Sequence, residues 1–341
     1  MSRGLRCSLF VANQQLPDAD RVRHAEEQLE QVRLARDIGF AAIFAGQHYL
    51  APDFSMLQPI PFLGRASAEA GSMEIGLGIL LLALHNPVDV AEQTATLDIL
   101  SGGRFILGVG LGYREEEFAA FGVPKGSRAA RLMENLELVK RLWSQERVSH
   151  RSERLRLDEV GAGVRPVRRP HPPIWMAANG DAAVRRAARH ADAWMMNPHA
   201  RLDTLARQVA LYREERRKAG LPPARETVCM RELCIAEDRE TALRDVGPHL
   251  ARKYAAYVRW GQDEPMPEDD SLQIPYEQLR EGRFVLGSPE DVTRSLASLV
   301  HELDVDHLVF RVQWPGTPQA VALRTLRLLH AEVLPHLQPR A

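Results

Sequence analysis

Apolar and polar residues are distributed along the chain in blocks. Short runs with apolar residues on both faces cover residues 5–12, 40–45, 74–82, 104–109, 173–178, 193–196, 227–236 and 305–312. Such runs predict strands covered on both sides, as in parallel sheets. Segments with helical periodicity lie between them, at residues 20–38, 59–70, 87–100, 128–143, 181–190, 201–218, 238–258, 290–302 and 317–334. The clearest unit runs from Ile75 to Gly112. Asn86 suits an N-cap and Pro87 a first helical turn. Val90, Leu97 and Leu100 recur at helical spacing, and Gly102 and Gly103 end the helix. Eight strand–helix repeats without antiparallel alternation predict an α/β fold of the (β/α)8 TIM-barrel type, with a doubly wound open sheet as the rival. Both architectures carry their sites at the carboxyl ends of the strands.

Two segments break the repeat. Residues 147–172 are rich in Arg and Pro and are expected to form a short hairpin. Residues 260–285 hold Pro265, Pro267 and Pro275 beside Glu268, Asp269 and Asp270. A connection this long is either a lid over a binding site or disordered. No linker separates independent units, so residues 1–341 read as one domain with these two insertions. Hydrophobic residues make up 45%, enough for a sizeable core, and 44 basic against 45 acidic residues leave a net charge of −1. That balance supplies no field to draw the protein onto nucleic acid or an anionic membrane. No signal-peptide pattern follows Arg3 and Arg6, and no apolar run approaches the ~18 residues of a membrane span. Cys229 and Cys234 are expected on opposite faces of one strand, so a reduced, cytoplasmic protein is expected.

Candidate chemistry gathers at the ends of the expected strands. His48 follows the run at 40–45, with Gln47 and Tyr49 beside it. A neutral imidazole there can act as general acid/base or bond to a bound cofactor; a loop histidine bonded to backbone is the plain alternative. Gly108, Gly110 and Gly112 resemble a dinucleotide turn, but Tyr113 stands where a third fingerprint glycine would be needed and no helix starts at once. These glycines either let backbone approach a planar ligand or make a bend. Asn179 and Gly180 precede a helix whose free N–H groups could hold a phosphate, although Asp181 could cap that helix itself. No metal site is expected, because the His and Cys residues are scattered, and no Gly-x-Ser-x-Gly hydrolase turn occurs.

Taken in order, several motifs resemble the bacterial luciferase-like flavin-dependent oxidoreductases, over about residues 5–335. They are Gln47-His48-Tyr49, His85-Asn86-Pro87, the stretch from Leu97 to Phe105, Gly108 to Tyr113, Glu117-Phe118 with Phe121-Gly122, Pro172 to Gly180, Ala188 to Trp194, and Gly287 to Glu290. The resemblance implies a (β/α)8 barrel that binds reduced FMN or, in one branch, the deazaflavin F420. The ring would rest against Leu77, Gly78 and Ile79, with a non-proline cis peptide joining Gly78 to Ile79. Gly110, Leu111, Met176 and Ala178 are expected at the cofactor, and its phosphate at Asn179 and Gly180.

The implied activity is an FMN-dependent monooxygenase, supplied with reduced FMN by a separate flavin reductase because the chain has no nicotinamide motif. Oxygen would add at the flavin C4a, and the shielded peroxide would oxidise a small organic substrate. His48 would bond to or deprotonate the intermediate, Gln47 and Tyr49 would orient it, and residues 260–285 would close over it. The alternatives are an F420-dependent dehydrogenase or reductase, with His48 as base, and a non-catalytic flavin-binding protein. A homodimer is expected. Two departures stand out. Gln47 replaces the usual acidic residue, so His48 lacks an evident carboxylate partner. Leu111 stands where luciferase has an arginine, so the phosphate charge would be met by Arg114, Arg185 or backbone dipoles.

Overall fold

The structure is a computed structural model and describes residues 4–337. Eight parallel strands form its centre: β1 Arg6–Phe10, β2 Ala42–Ala45, β3 Glu74–Leu77, β4 Phe105–Val109, β5 Ile174–Ala178, β6 Ala193–Met196, β7 Val228–Ile235 and β8 His307–Arg311. They lie in the order β6-β5-β4-β3-β2-β1-β8-β7, and β7 pairs back to β6, so the sheet closes into a barrel. Closure removes the open-sheet rival. The helices α1 Arg21–Asp37, α2 Pro59–Ala66, α3 Pro87–Leu100, α4 Arg128–Ser144, α5 Asp181–His190, α6 Leu202–Lys218, α7 Arg239–Arg259, α8 Pro289–Leu303 and α9 Gln319–Leu328 surround it. Their ends follow local chemistry. Asp20 and Asn86 accept backbone N–H bonds at the starts of α1 and α3, and Ser288 and Asp291 form a capping box on α8.

Side chains alternate along each strand. Phe10, Phe44, Ile106, Trp175, Met195, Met230 and Val309 fill the barrel, where Phe44 and Trp175 stack with ring centres 5.0 Å apart. Their neighbours, including Leu9, Ile43, Leu77, Leu107 and Met176, face the helices. The amino end of the barrel is closed by a polar chain. Ser8 Oγ lies 2.6 Å from His307 Nε2, and His307 Nδ1 donates to Glu226 Oε2 over 2.7 Å. Arg6 bridges Glu226 and Glu74, and Arg168 binds Glu74 from outside.

Several elements differ from expectation. The third strand stops at Leu77, not at residue 82. The Gly78–Ile79 peptide is cis, as the resemblance implies. Beyond this bulge Leu80 N donates to Gly108 O, and Gly110 N donates to Leu80 O. Helix α2 ends at Ala66, and the last helix passes into a π turn at Leu329–Val333. The expected hairpin forms from Val148–Arg151 and Arg156–Val160. Residues 260–285 are packed onto the barrel, with Leu272 and Leu279 in an apolar cluster beside α7. Asp270 and Arg283, both buried, form an ion pair within the segment. The short helix Glu115–Ala120 was not anticipated. Among the described residues, no helix is long and apolar enough to cross a membrane.

Candidate active site at the barrel mouth

A cavity of about 370 Å³ opens at the carboxyl ends of the strands, a volume within the range of roughly 300–1,000 Å³ common for small-molecule sites. Its wall beside β3 is made by Gly78 and Ile79, and Gly46, Gly110 and Leu111 adjoin them. Glycine is required here by space. A Cβ on Gly46 would lie 3.0 Å from Phe10 Cζ and 3.2 Å from Gly78 O, and one on Gly110 would lie 2.5 Å from Ile79 Cδ1. Below them, a Cβ on Gly108 would lie 1.9 Å from Leu77 O. The glycines after β4 therefore let the bulge sit tight against the barrel and leave a wall without protruding side chains.

His48 lines the cavity and is held from behind by Glu117, whose carboxylate is fully buried. His48 Nδ1 donates to Glu117 Oε1 over 3.0 Å, and the same oxygen accepts from Tyr49 N at 2.7 Å. A carboxylate only accepts, so the Nδ1 side carries the proton and Nε2 of the neutral ring is free to accept. Tyr113 OH is 3.1 Å from that Nε2. Burial, with Tyr257 and Glu117 nearby, pushes the Tyr113 phenol well above its ordinary value, so it stays a donor. The carboxylate that Gln47 does not supply is therefore supplied from the helix Glu115–Ala120.

Gln47 is a brace. Its Oε1 accepts from Leu81 N at 3.1 Å and lies 3.0 Å from His85 Nε2, while its Nε2 donates to Tyr49 OH and Gln58 Oε1. Both ends of the amide are thus committed within the protein. Tyr49 does not line the cavity; it packs on Phe121 and His85 behind the wall. Leu77 and Met176 also lie outside the cavity, in the layer between sheet and helices, because strand alternation turns them away while Gly78 and Ala177 face in. Ala178 and Asn179 do line it.

Gly180 begins α5 without a side-chain cap, but it does not line the cavity; Pro265 O lies over it, 2.3 Å from where a Cβ would stand. Neither arginine expected to meet a phosphate reaches the mouth. Arg185 is bound to Glu215, and Arg114 is buried under Trp260, donating to the carbonyls of Tyr49 and Leu50. Arg128, at the start of α4, does line the cavity.

Sequence reasoning missed a polar floor. Lys253 from α7, Arg311 at the end of β8, His199, Tyr257 and Gln14 all line the cavity. Lys253 is paired with Glu232, which also accepts from Tyr254 OH at 2.9 Å and Trp314 Nε1 at 2.6 Å. Burial, aided by the charge on Arg311, brings Lys253 down to about 7 despite Glu232. Burial opposes ionisation of Glu232, but Lys253 and Arg311 outweigh it and hold the carboxyl below its ordinary range. His199 is pushed well below its ordinary value by burial and by the cations Lys253, Arg283, Arg231 and Arg311. A signal for this floor was present: Arg231, Glu232 and Arg311 are charged residues inside apolar strand runs.

A larger groove, about 810 Å³, lies between α6 and residues 221–227 and is lined by Val209, Tyr212 and Arg213. It contains none of the expected site residues.

The closed parallel barrel, with its ligand cavity at the carboxyl-end mouth and a histidine–carboxylate pair on the wall, defines an enzyme-type (β/α)8 barrel. The family described as luciferase-like monooxygenase matches residues 5–329, and the chain belongs to that family. Among relatives, the F420-dependent glucose-6-phosphate dehydrogenase of Nakamurella multipartita is 28% identical, with 89% of this chain and 90% of that protein covered. The oxygenase component of the flavin-dependent trigonelline monooxygenase of Acinetobacter baylyi is 29% identical over 51% of this chain and 49% of its own length. Monooxygenase RslO1 from Streptomyces bottropensis shares the fold at a TM-score of 0.86 and 24% identity, with 97% of this chain and 99% of that one covered. The family thus includes flavin-dependent monooxygenases and F420-dependent dehydrogenases.

Proposed function

We propose that this protein is the oxygenase component of a flavin-dependent monooxygenase, using reduced FMN and molecular oxygen to oxidise a small organic substrate. The observation that carries the reading is the glycine wall at Gly78, Ile79 and Gly110, which shares a cavity of about 370 Å³ with His48. The residues present fit a flavin. The wall offers a flat face, and Asn179 and Arg128 in the lining offer polar groups for an anionic tail. Bound in reduced form, FMN supplies the two electrons with which oxygen is activated, one oxygen atom entering the substrate and the other leaving as water.

The chain's own residues bind, orient and move a proton. Glu117 fixes the tautomer of His48, so that Nε2 can accept a proton from the substrate relayed through the Tyr113 hydroxyl that donates to it, or donate a hydrogen bond once charged. Tyr113 holds the outer face of that ring. Residues 260–285 lie over the mouth and exclude water, with Gln262 and Pro265 in the cavity wall. A separate flavin reductase would supply reduced FMN; the trigonelline relative is likewise the oxygenase component of its monooxygenase.

A second reading is favoured by the His48–Glu117 pair, which is the arrangement a base for an alcohol requires: an F420-dependent dehydrogenase. Fluorescence titrations with FMN and F420 separate the two. The first reading expects FMN to bind more tightly, and reduced FMN with oxygen to yield an oxygenated product from a substrate panel. Tighter binding of F420, with alcohol-dependent F420 reduction, would replace it with the second.

A further inference from the structure

The cavity floor carries more positive charge than its own residues neutralise. Around His199 lie four buried cations, Lys253, Arg231, Arg283 and Arg311, and two buried carboxylates, Glu232 and Asp270. Asp270 is taken by Arg283. Both oxygens of Glu232 are engaged, one by Lys253 and Tyr254 and the other by Trp314. Arg231 and Arg311 are left over; Arg231 donates to the carbonyls of Asn197 and Met230 and does not line the cavity, whereas Arg311 does. Arg311 is only 8% exposed, its guanidinium lies 4.2 Å above the Phe10 ring, and its buried Nε has no partner. Tyr257 gives it a neutral hydrogen-bond partner, and Glu232 acts on it only through space, so no anion is bonded to it. A buried, permanently charged guanidinium without a paired anion is costly, and an open donor edge in a ligand cavity is where an anion relieves that cost. Release of the Lys253 proton would not change the sign, because arginine stays charged.

The anionic tail of a flavin does not answer this need. Asn179 follows β5, whereas Arg311 ends β8 beside β1. Two strands, β6 and β7, stand between β5 and β8, so a tail held at Asn179 would leave Arg311 to another group.

We propose that Arg311, with Lys253, forms an anion subsite, and that the substrate is a small organic carboxylate whose acid group docks on this floor. The proposal rests on the reading of the cavity as a flavin and substrate site. The planar fork of Arg311 suits a carboxylate held through two parallel bonds. Phe10 and Tyr257 wall the subsite, favouring a flat acid over a polyanion.

The test is calorimetric titration of the FMN-loaded protein with two pairs of probes, benzoate against benzamide and acetate against acetamide. Each pair differs in charge at nearly constant shape. At least one acid should bind tenfold or more tightly than its amide. Arg311→Gln should remove that preference while leaving amide binding within about twofold. If Arg311→Gln fails to fold, as judged by circular dichroism, the wild-type comparison at 50 and 500 mM NaCl decides instead: the acid should weaken with salt and the amide should not. Equal binding of acid and amide in both pairs overturns the proposal, as does a preference that survives in a folded Arg311→Gln protein. If FMN itself does not bind, the flavin reading fails. The same titrations on the unloaded protein then still show whether the anion subsite exists.

Discussion

Gly108 gives the sharpest test of how the flavin wall is built. An alanine there would place its Cβ 1.9 Å from Leu77 O and 3.0 Å from Leu77 C. Ordinary C···O contacts begin near ~3.3 Å, so β3 and β4 would have to separate by about 1.4 Å at a point where both are buried. The obstructing atoms are backbone and cannot rotate away. Overpacking of this kind costs typically 1–3 kcal/mol, and this case belongs at the upper end, about 3 kcal/mol. Restricting the unfolded chain returns up to about 1 kcal/mol. A net loss of about 2 kcal/mol is expected, which in a chain of this size lowers Tm by about 3 °C. Two comparisons calibrate it. In Gly110→Ala the nearest obstacle is Ile79 Cδ1 at 2.5 Å, the end of a side chain that can swing; stability should fall by less than about 1 kcal/mol. Gly126→Ala meets nothing within 4 Å and should stay within about 0.5 kcal/mol of wild type. Differential scanning calorimetry ranks the three, and fluorescence quenching reads FMN. Gly108→Ala and Gly110→Ala should each weaken FMN tenfold or more, the second because Ile79 is driven into the cavity. Wild-type melting of Gly108→Ala would refute the close approach of the two strands. Unchanged FMN affinity in both would refute the placement of the ring.

Replacing Glu117 with Gln removes the carboxylate that accepts from both His48 and Tyr49 N, so urea unfolding should show a loss of about 1.5–3 kcal/mol, and nitrogen NMR of His48 should show a mixture of tautomers; a single Nδ1-protonated form would contradict the assigned role. Because His199 is held well below its ordinary value, the unfolded chain binds a proton below pH ~6.5 that the folded state refuses, so stability is present above that pH and falls as pH drops. Wild type should lose about 1.4 kcal/mol more than His199→Gln between pH 7.5 and 5.5 in urea titrations, and parallel losses would show that His199 is not the group. Asp270→Asn strands the buried Arg283 charge within residues 260–285; limited proteolysis should then cut within that segment at least tenfold faster, and an unchanged cleavage pattern would rule out the pair as its fastening.

Much of the frame was legible because its signals are local. Strands covered on both sides need apolar residues at nearly every position, and the caps at Asn86 and the positive φ of Gly102 and Gly103 follow from neighbouring residues alone. The mouth was less legible. Leu77 and Met176 were assigned to the cofactor from their place in a strand, yet one step along a strand reverses the face, and Gly78 and Ala177 hold the inward positions. Tyr49 was favoured over Tyr113 because it adjoins His48 in sequence, whereas Tyr113 reaches the ring across the barrel mouth. Glu117 is the third of three consecutive acids, and only the fold distinguishes the buried one from its exposed neighbours. Lys253 meets a carboxylate 21 residues away on another element, which helical spacing cannot reveal.

At the opposite pole, the linked side chains of Ser8, His307, Glu226 and Arg6 have an evolutionary consequence. Each member satisfies the next, so exchanging any one leaves a buried donor, acceptor or charge without its mate. Drift through single steps is therefore obstructed, and descendants should either inherit the quartet intact or replace it wholesale with greasy residues. The barrel's base is thus frozen as a unit while its rim remains open to change one residue at a time.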